Sequence, residues 1–188
     1  IGVLVANIAN RLGMDVYGVD PYLSVKNALN INRDVTVLKS YDELYEMCDY
    51  ITIHVPFLED TKGMINEEAI SKMKDGVIIL NYARDLLVDE DAMKAALESG
   101  KVAKYVTDFP NSAVVKMPNV IATPHLGAST EESEDNCAVM AANQLREYLE
   151  NGNIVNSVNY PNCDAGVCAT AGRITVAHRN IPKMLHQL

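Results

Sequence analysis

Two residue types that can act together on a carbonyl group follow apolar, strand-like segments of this chain. Arg84 comes soon after residues 77–81, and His125 comes soon after residues 120–122. An arginine offers a fixed fork of donors to a carboxylate and stays charged at any working pH. A histidine titrates near neutrality and can pass a proton to the oxygen that becomes an alcohol. The pair therefore suits a reaction on a carbonyl beside a carboxylate, provided that the fold brings the two side chains to one edge of a sheet.

Strand-like and helical patterns alternate along the chain. The predicted strands are residues 15–19, 35–38, 50–54, 77–81, 102–107 and 120–122, and the predicted helices lie near residues 5–12, 24–30, 41–47, 66–74, 89–99 and 130–151. Ser40 with Glu43 and Ser129 with Glu132 have capping-box spacing and mark two helix starts. Strands separated by single helices predict an α/β fold, a doubly wound parallel sheet with helices on both faces. Residues 77–81 are so uniformly apolar that we expect burial on both faces of the sheet.

Polar residues stand where the predicted strands end, which is where ligands bind in sheets of this type. These positions are Asp20, residues 54–56, residues 81–84, Asp108 and residues 123–128. Asp20 lies near the distance of about 20 residues at which an acid follows a glycine-rich turn to meet an adenosine ribose, counted here from Gly2. A carboxylate there accepts hydrogen bonds from ribose hydroxyls and repels a 2′-phosphate. The sequence therefore predicts NAD rather than NADP as cofactor.

Composition and charge exclude several other classes of protein. The chain has 188 residues, of which 48% are hydrophobic and 22% charged, as in globular proteins. A net charge of -9 opposes binding to nucleic acid. The apolar runs fall short of the roughly 20 residues of a membrane helix. The four cysteines lack the paired spacing of metal or redox sites. We expect a soluble, cytoplasmic protein with reduced thiols, no metal, and neither nucleic acid nor membrane as partner.

Several motifs, in the same order along the chain, resemble the NAD-binding domain of the D-2-hydroxyacid dehydrogenases. They are Gly2 with Asp20, Ile53–Pro56, Asn81–Arg84, Val88–Ala92 and Thr123–Thr130. The resemblance extends over about residues 1–160, and its form at residues 125–130 is most similar to the members that act on D-3-phosphoglycerate. It implies a truncated Rossmann-type domain whose first strand and glycine-rich phosphate loop precede Ile1.

The resemblance implies a role for each residue at the strand ends. Arg84 would bind the substrate carboxylate and polarise the keto group. His125 would exchange a proton with the substrate oxygen while hydride moves to or from the nicotinamide. For NAD, it implies Ile1 and Gly2 at the pyrophosphate, Asp20 at the ribose, Val55 and Pro56 at the adenosine, Tyr82, Ala83 and Asp108 at the nicotinamide end, and Arg84, His125, Gly127 and Ala128 as further cofactor contacts.

The sequence departs from the family pattern at two places. The family usually has a glutamate paired with the histidine a few residues after the position of Asp108, and residues 108–113 contain none. Three consequences of the missing glutamate stay open: another acid such as Asp108 replaces it, the optimum pH is lower, or the activity is weak. Asp85 stands where the family has glycine, and it would either tether Arg84 or weaken its hold on an anionic substrate.

The resemblance also predicts a division into domains. An NAD-binding domain would span residues 1–156 and a linker residues 157–172. Residues 173–188 would begin an ACT-like regulatory domain, with a strand at 173–178 and a helix capped by Asn180. Much of the substrate domain would precede Ile1, so we expect the 188 residues alone to be inactive. The family implies a homodimer or higher homo-oligomer, and the ACT-like part a serine effector.

Three interpretations of the function stay open. The favoured one is NAD-dependent oxidation of D-3-phosphoglycerate to 3-phosphohydroxypyruvate, the first step of L-serine biosynthesis. The second is the same chemistry on another 2-hydroxy acid, such as glycerate or lactate. The third is a non-catalytic, NAD-sensing binding protein, for which the missing glutamate is the support.

Overall fold

The structure is a computed structural model that describes residues 1–176, 178 and 182. It divides into two compact units, Ile1–His125 and Leu126–Leu188. The strands of the first unit are β1 (Tyr17–Gly18), β2 (Thr36–Val37), β3 (Tyr50–Ile53), β4 (Val77–Asn81), β5 (Val102–Thr107) and β6 (Val120–Ala122). Its helices are α1 (Gly2–Arg11), α2 (Val25–Asn30), α3 (Tyr41–Met47), α4 (Glu67–Lys72) and α5 (Glu90–Ser99). The second unit contains α6 (Glu131–Asn151).

All strand pairs of the first unit are parallel, as predicted. The order β3-β4-β5-β6 forms a four-stranded sheet, and β1 pairs with β2 in a separate ladder. A helix lies between successive strands along most of the chain, so the fold is the predicted Rossmann-like α/β arrangement. Because the strands are parallel, the carboxyl ends of β3, β4, β5 and β6 lie at one edge of the sheet.

Side-chain caps fix where the helices of the first unit begin. The side chains of Ser24, Ser40, Asn66 and Asp89 each accept a hydrogen bond from the backbone N–H three residues ahead. Each cap satisfies a donor that a helix start leaves without a partner. Gly100 ends α5 at φ 78°, a left-handed conformation that glycine adopts without steric cost. These local signals explain why the predicted starts of α2 to α5 are confirmed.

The hydrophobic core lies along the four-stranded sheet. It combines alternate residues of the strands, such as Ile51, Ile79 and Val102, with residues of α4 and α5, such as Ile70 and Met93. Burial along β4 alternates: residues 77, 79 and 81 are buried, whereas residues 78 and 80 are half-buried. The expectation that β4 is fully buried on both faces is therefore wrong, because one of its faces stays partly open to solvent.

The second unit starts its helix one residue later than predicted. The Thr130 side chain caps α6 by accepting a hydrogen bond from the Ser133 N–H at 3.2 Å, whereas the Ser129 N–H donates to the Leu126 carbonyl. Both Ser129 and Thr130 can cap a helix, and the structure uses Thr130. Gly152 ends α6 in the left-handed conformation, at φ 69°.

The chain after α6 bears on the predicted carboxyl-terminal elements. Residues 173–176 carry no strand in the structure. Asn180 and nearly all of the helix predicted after it lie outside the described residues. The predicted domain bounds and the linker at residues 157–172 remain predictions.

Candidate active site

His125 and Asp108 meet at the carboxyl edge of the four-stranded sheet. Asp108 directly follows β5, and His125 comes shortly after β6. The Nδ1 atom of His125 lies 2.9 Å from Oδ2 of Asp108, with side-chain exposures of 59% and 11% respectively. A carboxylate at this position accepts a hydrogen bond from Nδ1–H and leaves Nε2 as the unprotonated nitrogen of the neutral ring. Asp108 is therefore the acid partner of His125 that the sequence left open.

The second oxygen of Asp108 has a different environment. Oδ1 is buried and has no hydrogen-bond partner within the described part of the chain. A buried acceptor without a partner costs about 1–3 kcal/mol, and more when it is charged. Such an atom at a sheet edge is suited to receive a donor from a bound ligand.

Phe109 restricts the imidazole from a second direction. Its ring centroid lies 4.9 Å from that of His125, with 34° between the ring planes. The Phe109 backbone N–H donates to Thr107 Oγ1 at 3.2 Å, which fixes the turn that follows β5. The exposed imidazole is thus held by a carboxylate at one nitrogen and by an aromatic ring against its face.

Arg84 lies in the loop that follows β4. Its side chain is exposed, and one guanidinium nitrogen donates to the Ala83 carbonyl at 2.6 Å. No ion pair joins Arg84 to Asp85, so the described residues do not contain the tether that the sequence left open. Asp85 instead begins a short 3₁₀ helix, Asp85–Leu87, where burial and then the charge of Glu90 raise its pKa.

The loop that carries Arg84 is held in place by Asn81, a residue at the predicted edge to which the sequence assigned no role. Asn81, the last residue of β4, is fully buried. Its side-chain oxygen accepts from the Ala83 N–H at 3.1 Å, and its side-chain nitrogen donates to the Arg84 carbonyl at 2.9 Å. A polar residue at the end of an otherwise apolar strand was the available signal.

The first strand and first helix present the remaining predicted cofactor residues. Asp20 is exposed beyond β1, and its Oδ1 accepts from the Tyr22 N–H at 2.9 Å. Gly2 is the first residue of α1, whose N-cap, Ile1, provides no side-chain hydrogen bond. A Cβ atom on Gly2 would lie 3.4 Å from the Cβ of His54, in contact with that half-buried ring. Burial lowers the pKa of His54.

The other predicted contacts are placed as follows. Val55 is half-buried and Pro56 exposed in the loop after β3, and Tyr82 is exposed and Ala83 half-buried in the loop after β4. These residues, with Asp20, Arg84, Asp108 and His125, follow strands of the first unit. Gly127 and Ala128 belong to the second unit and are exposed, and their role in cofactor binding remains a prediction.

The described residues lack both a metal-binding cluster and a membrane-spanning helix. They contain no group of three or more histidine, cysteine or acidic side chains arranged to hold a metal ion. In the same part of the chain, no helix combines the length and apolar character needed to cross a membrane.

Known proteins are similar to this chain in sequence and in fold. A family model for the NAD-binding domain of D-isomer specific 2-hydroxyacid dehydrogenases matches residues 1–127. The chain is 35% identical to D-3-phosphoglycerate dehydrogenase of Haemophilus influenzae, in an alignment that covers 100% of the chain and 47% of that relative. It therefore spans about half the length of that protein.

Two solved structures extend the comparison to the fold. A glyoxylate reductase from Paecilomyes thermophila matches 82% of the chain and 48% of its own length, with a TM-score of 0.72 and 31% identity. A D-lactate dehydrogenase with NAD+ from Lactobacillus jensenii matches 77% of the chain and 48% of its own, with a TM-score of 0.66 and 28% identity. The chain belongs to the D-isomer specific 2-hydroxyacid dehydrogenase family and carries its NAD-binding domain.

Proposed function

We propose that the protein interconverts D-3-phosphoglycerate and 3-phosphohydroxypyruvate with NAD as the oxidant. The observation that carries this proposal is the pair formed by His125 and Asp108 at the sheet edge where the loop of Arg84 also emerges. The family supports the type of reaction, and the Haemophilus influenzae relative supports the phosphorylated substrate.

The residues present fit NAD at three points. The N-terminus of α1 has no side-chain cap, so its N–H groups are available to a pyrophosphate. Asp20 uses Oδ1 in its local turn and keeps Oδ2 for ribose hydroxyls. Asp108 Oδ1 is a buried acceptor without a partner in the described residues, suited to a donor from the nicotinamide end.

In the proposed complex, Ile1 and Gly2 hold the pyrophosphate, Val55 and Pro56 border the adenosine, and Tyr82 and Ala83 line the nicotinamide end. NAD supplies the acceptor of the hydride when it is bound.

His125 provides the proton transfer in this proposal. With Nδ1 hydrogen-bonded to Asp108, Nε2 is the atom that takes the proton from the substrate hydroxyl during oxidation and returns it during reduction. The imidazolium formed in oxidation is stabilised by the adjacent carboxylate. Asp108 therefore orients His125 and stabilises its imidazolium, the role that a glutamate usually has in the family.

Arg84 provides the substrate anchor. Its guanidinium is exposed and, within the described residues, donates to the Ala83 carbonyl, so its remaining donors can form two hydrogen bonds to a substrate carboxylate. The same positive charge polarises the adjacent keto group and favours hydride transfer to its carbon.

Two features support the proposed cellular compartment and the proposed oligomeric state of the enzyme. All four cysteines are free, which suits a reducing compartment such as the cytoplasm. Helix α6 exposes Val139, Met140, Leu145 and Leu149, which supports an interface of the proposed homodimer. An effector role for serine remains a prediction.

The test of the proposed function is NADH oxidation by the complete gene product with a panel of 2-oxo acids. We expect kcat/KM to be highest for 3-phosphohydroxypyruvate, with hydroxypyruvate and pyruvate well below it. A preference for pyruvate or hydroxypyruvate would replace the substrate but keep the chemistry. NADH binding without turnover on any of the three would instead favour a binding protein.

A further inference from the structure

A buried polar network lies beneath the candidate active site and joins the ends of β4 and β5. Asn81 and Thr107 stand opposite each other in the ladder between these strands, and both are fully buried. The Tyr105 hydroxyl accepts a hydrogen bond from the Asn81 side-chain nitrogen at 3.4 Å, and Tyr105 and Thr107 lie two residues apart on β5. Three polar side chains thus meet in a region that otherwise packs apolar residues.

Each end of this network is bonded to a loop that carries a proposed functional residue. Asn81 bonds the Ala83 N–H and the Arg84 carbonyl, on either side of the point where the Arg84 side chain leaves the loop. Thr107 Oγ1 accepts from the Phe109 N–H, and the Phe109 ring contacts the imidazole of His125. Tyr105 connects Asn81 to β5, the strand that ends at Thr107.

The Tyr105 hydroxyl can keep its hydrogen bond to Asn81 at any working pH. Tyr105 is 4% exposed, and its burial is the largest effect on the pKa of its hydroxyl and raises it. The hydroxyl therefore stays protonated and keeps both its donor and its acceptor function at any working pH. A buried polar network with satisfied members holds its surroundings in one arrangement.

We propose that Asn81, Tyr105 and Thr107 are positioning residues that hold the Arg84 loop in register with the turn that supports His125. This inference rests on the proposed function, because it acts through Arg84 and His125. The network contacts neither the substrate nor the cofactor. It determines where the guanidinium of Arg84 stands relative to His125, and a small misplacement of this substrate anchor lowers kcat/KM.

The first test replaces Tyr105 with phenylalanine in the complete gene product, which removes the hydroxyl and keeps the ring. We expect KM for 3-phosphohydroxypyruvate to rise roughly tenfold with a much smaller change in kcat, because a displaced Arg84 loses binding in both the ground state and the transition state. The Kd for NADH should stay within about twofold of the wild-type value. Tyr45→Phe is the matched control, since Tyr45 is 5% exposed and lies on α3, away from the network.

A double-mutant cycle separates positioning from general stability. If Tyr105 acts through Arg84, Tyr105→Phe should change kcat/KM much less in an Arg84→Lys background than in the wild type. A hydroxyl that merely stabilises the fold would lower kcat/KM by the same factor in both backgrounds. That equal factor would overturn the proposal, as would a Tyr105→Phe variant with a lower Tm and an unchanged KM.

Hydrogen exchange provides a readout that does not depend on activity. The Ala83 N–H donates to Asn81, so Tyr105→Phe should speed its exchange relative to the wild type and to Tyr45→Phe. Wild-type protein without turnover on any 2-oxo acid would overturn the proposed function. The exchange rate of the Ala83 N–H would then still test whether the network holds the Arg84 loop. Unchanged exchange at Ala83 would show that the network does not hold the loop and would overturn the inference.

Discussion

Oδ2 of Asp108 lies 2.9 Å from Nδ1 of His125, so a buried carboxylate of one loop orients the exposed imidazole of the next. The hydrogen bond selects the tautomer of the neutral ring, because an ionised carboxylate can accept a hydrogen bond from Nδ1–H but cannot donate one. Nε2 is therefore the nitrogen available to a substrate. The consequences of this arrangement, and of the residues around it, can be measured.

Replacing Asp108 with asparagine should lower kcat by about 10²-fold or more, within the range by which a positioned acid–base group contributes. The amide can present a donor to Nδ1 and so favour the wrong tautomer. Nitrogen chemical shifts of His125 should show loss of the single Nδ1–H form. Asp34→Asn, an exposed acid, is the control. Wild-type kcat in Asp108→Asn would show that the carboxylate does not serve His125.

Replacing Arg84 with lysine should raise KM for the 2-oxo acid by roughly 10²-fold, because an ammonium cannot reproduce the two parallel hydrogen bonds of a guanidinium to a carboxylate. Steady-state kinetics at saturating NADH measures the change, with Arg33→Lys, at an exposed arginine, as the control. The assignment fails if Arg84→Lys and Arg33→Lys give the same KM.

Replacing Asp20 with asparagine should weaken NAD binding by about tenfold and reduce the preference for NAD over NADP. The carboxylate accepts hydrogen bonds from ribose hydroxyls, and its charge repels a 2′-phosphate. Calorimetric titration with both dinucleotides measures the two effects. Asp15→Asn serves as the control, since Asp15 is exposed before β1. Unchanged discrimination between the dinucleotides would remove Asp20 from the cofactor site.

Asp85 predicts a pH dependence of stability. Burial, followed by the charge of Glu90, raises its pKa above the ordinary value of 3.8, so the folded state holds this proton more tightly than the unfolded state. Its ionisation therefore costs stability as the pH rises from the ordinary value through the raised one, and the cost persists above that interval. Asp85→Asn should raise Tm near neutral pH, and the gain should shrink as the pH falls below the interval.

Thermal unfolding of wild type and Asp85→Asn across pH measures this difference. Asp91→Asn, an exposed acid on α5, is the control. A gain in Tm that is the same at acidic and neutral pH would contradict the assigned cause.

The sequence was sufficient for much of the fold because its signals are local. Ser40 and Glu43 predicted the start of α3, and the Ser40 side chain does cap that helix. The apolar run at residues 77–81 predicted β4 with its bounds. Ser129 was the wrong cap for α6, because two adjacent residues can cap and the structure uses Thr130.

The candidate site was predictable in its location and less so in its contacts. Strand ends of a parallel sheet meet at one edge, so Arg84, Asp108 and His125 could be assigned to that edge from their positions. The bond between Asp108 and His125 depends on the paths of two loops, and no local pattern encodes that distance. The same holds for Tyr105 and Asn81, which come from different strands and meet through the register of β4 and β5.

The most direct test of the account is a single-turnover measurement of NADH oxidation by the complete gene product with 3-phosphohydroxypyruvate, in wild type and in His125→Asn. The account predicts that both proteins bind NADH with similar Kd and that the rate of NADH oxidation falls by about 10²-fold or more in the variant. A variant that oxidises NADH at the wild-type rate would contradict the assignment of His125 as the acid–base residue.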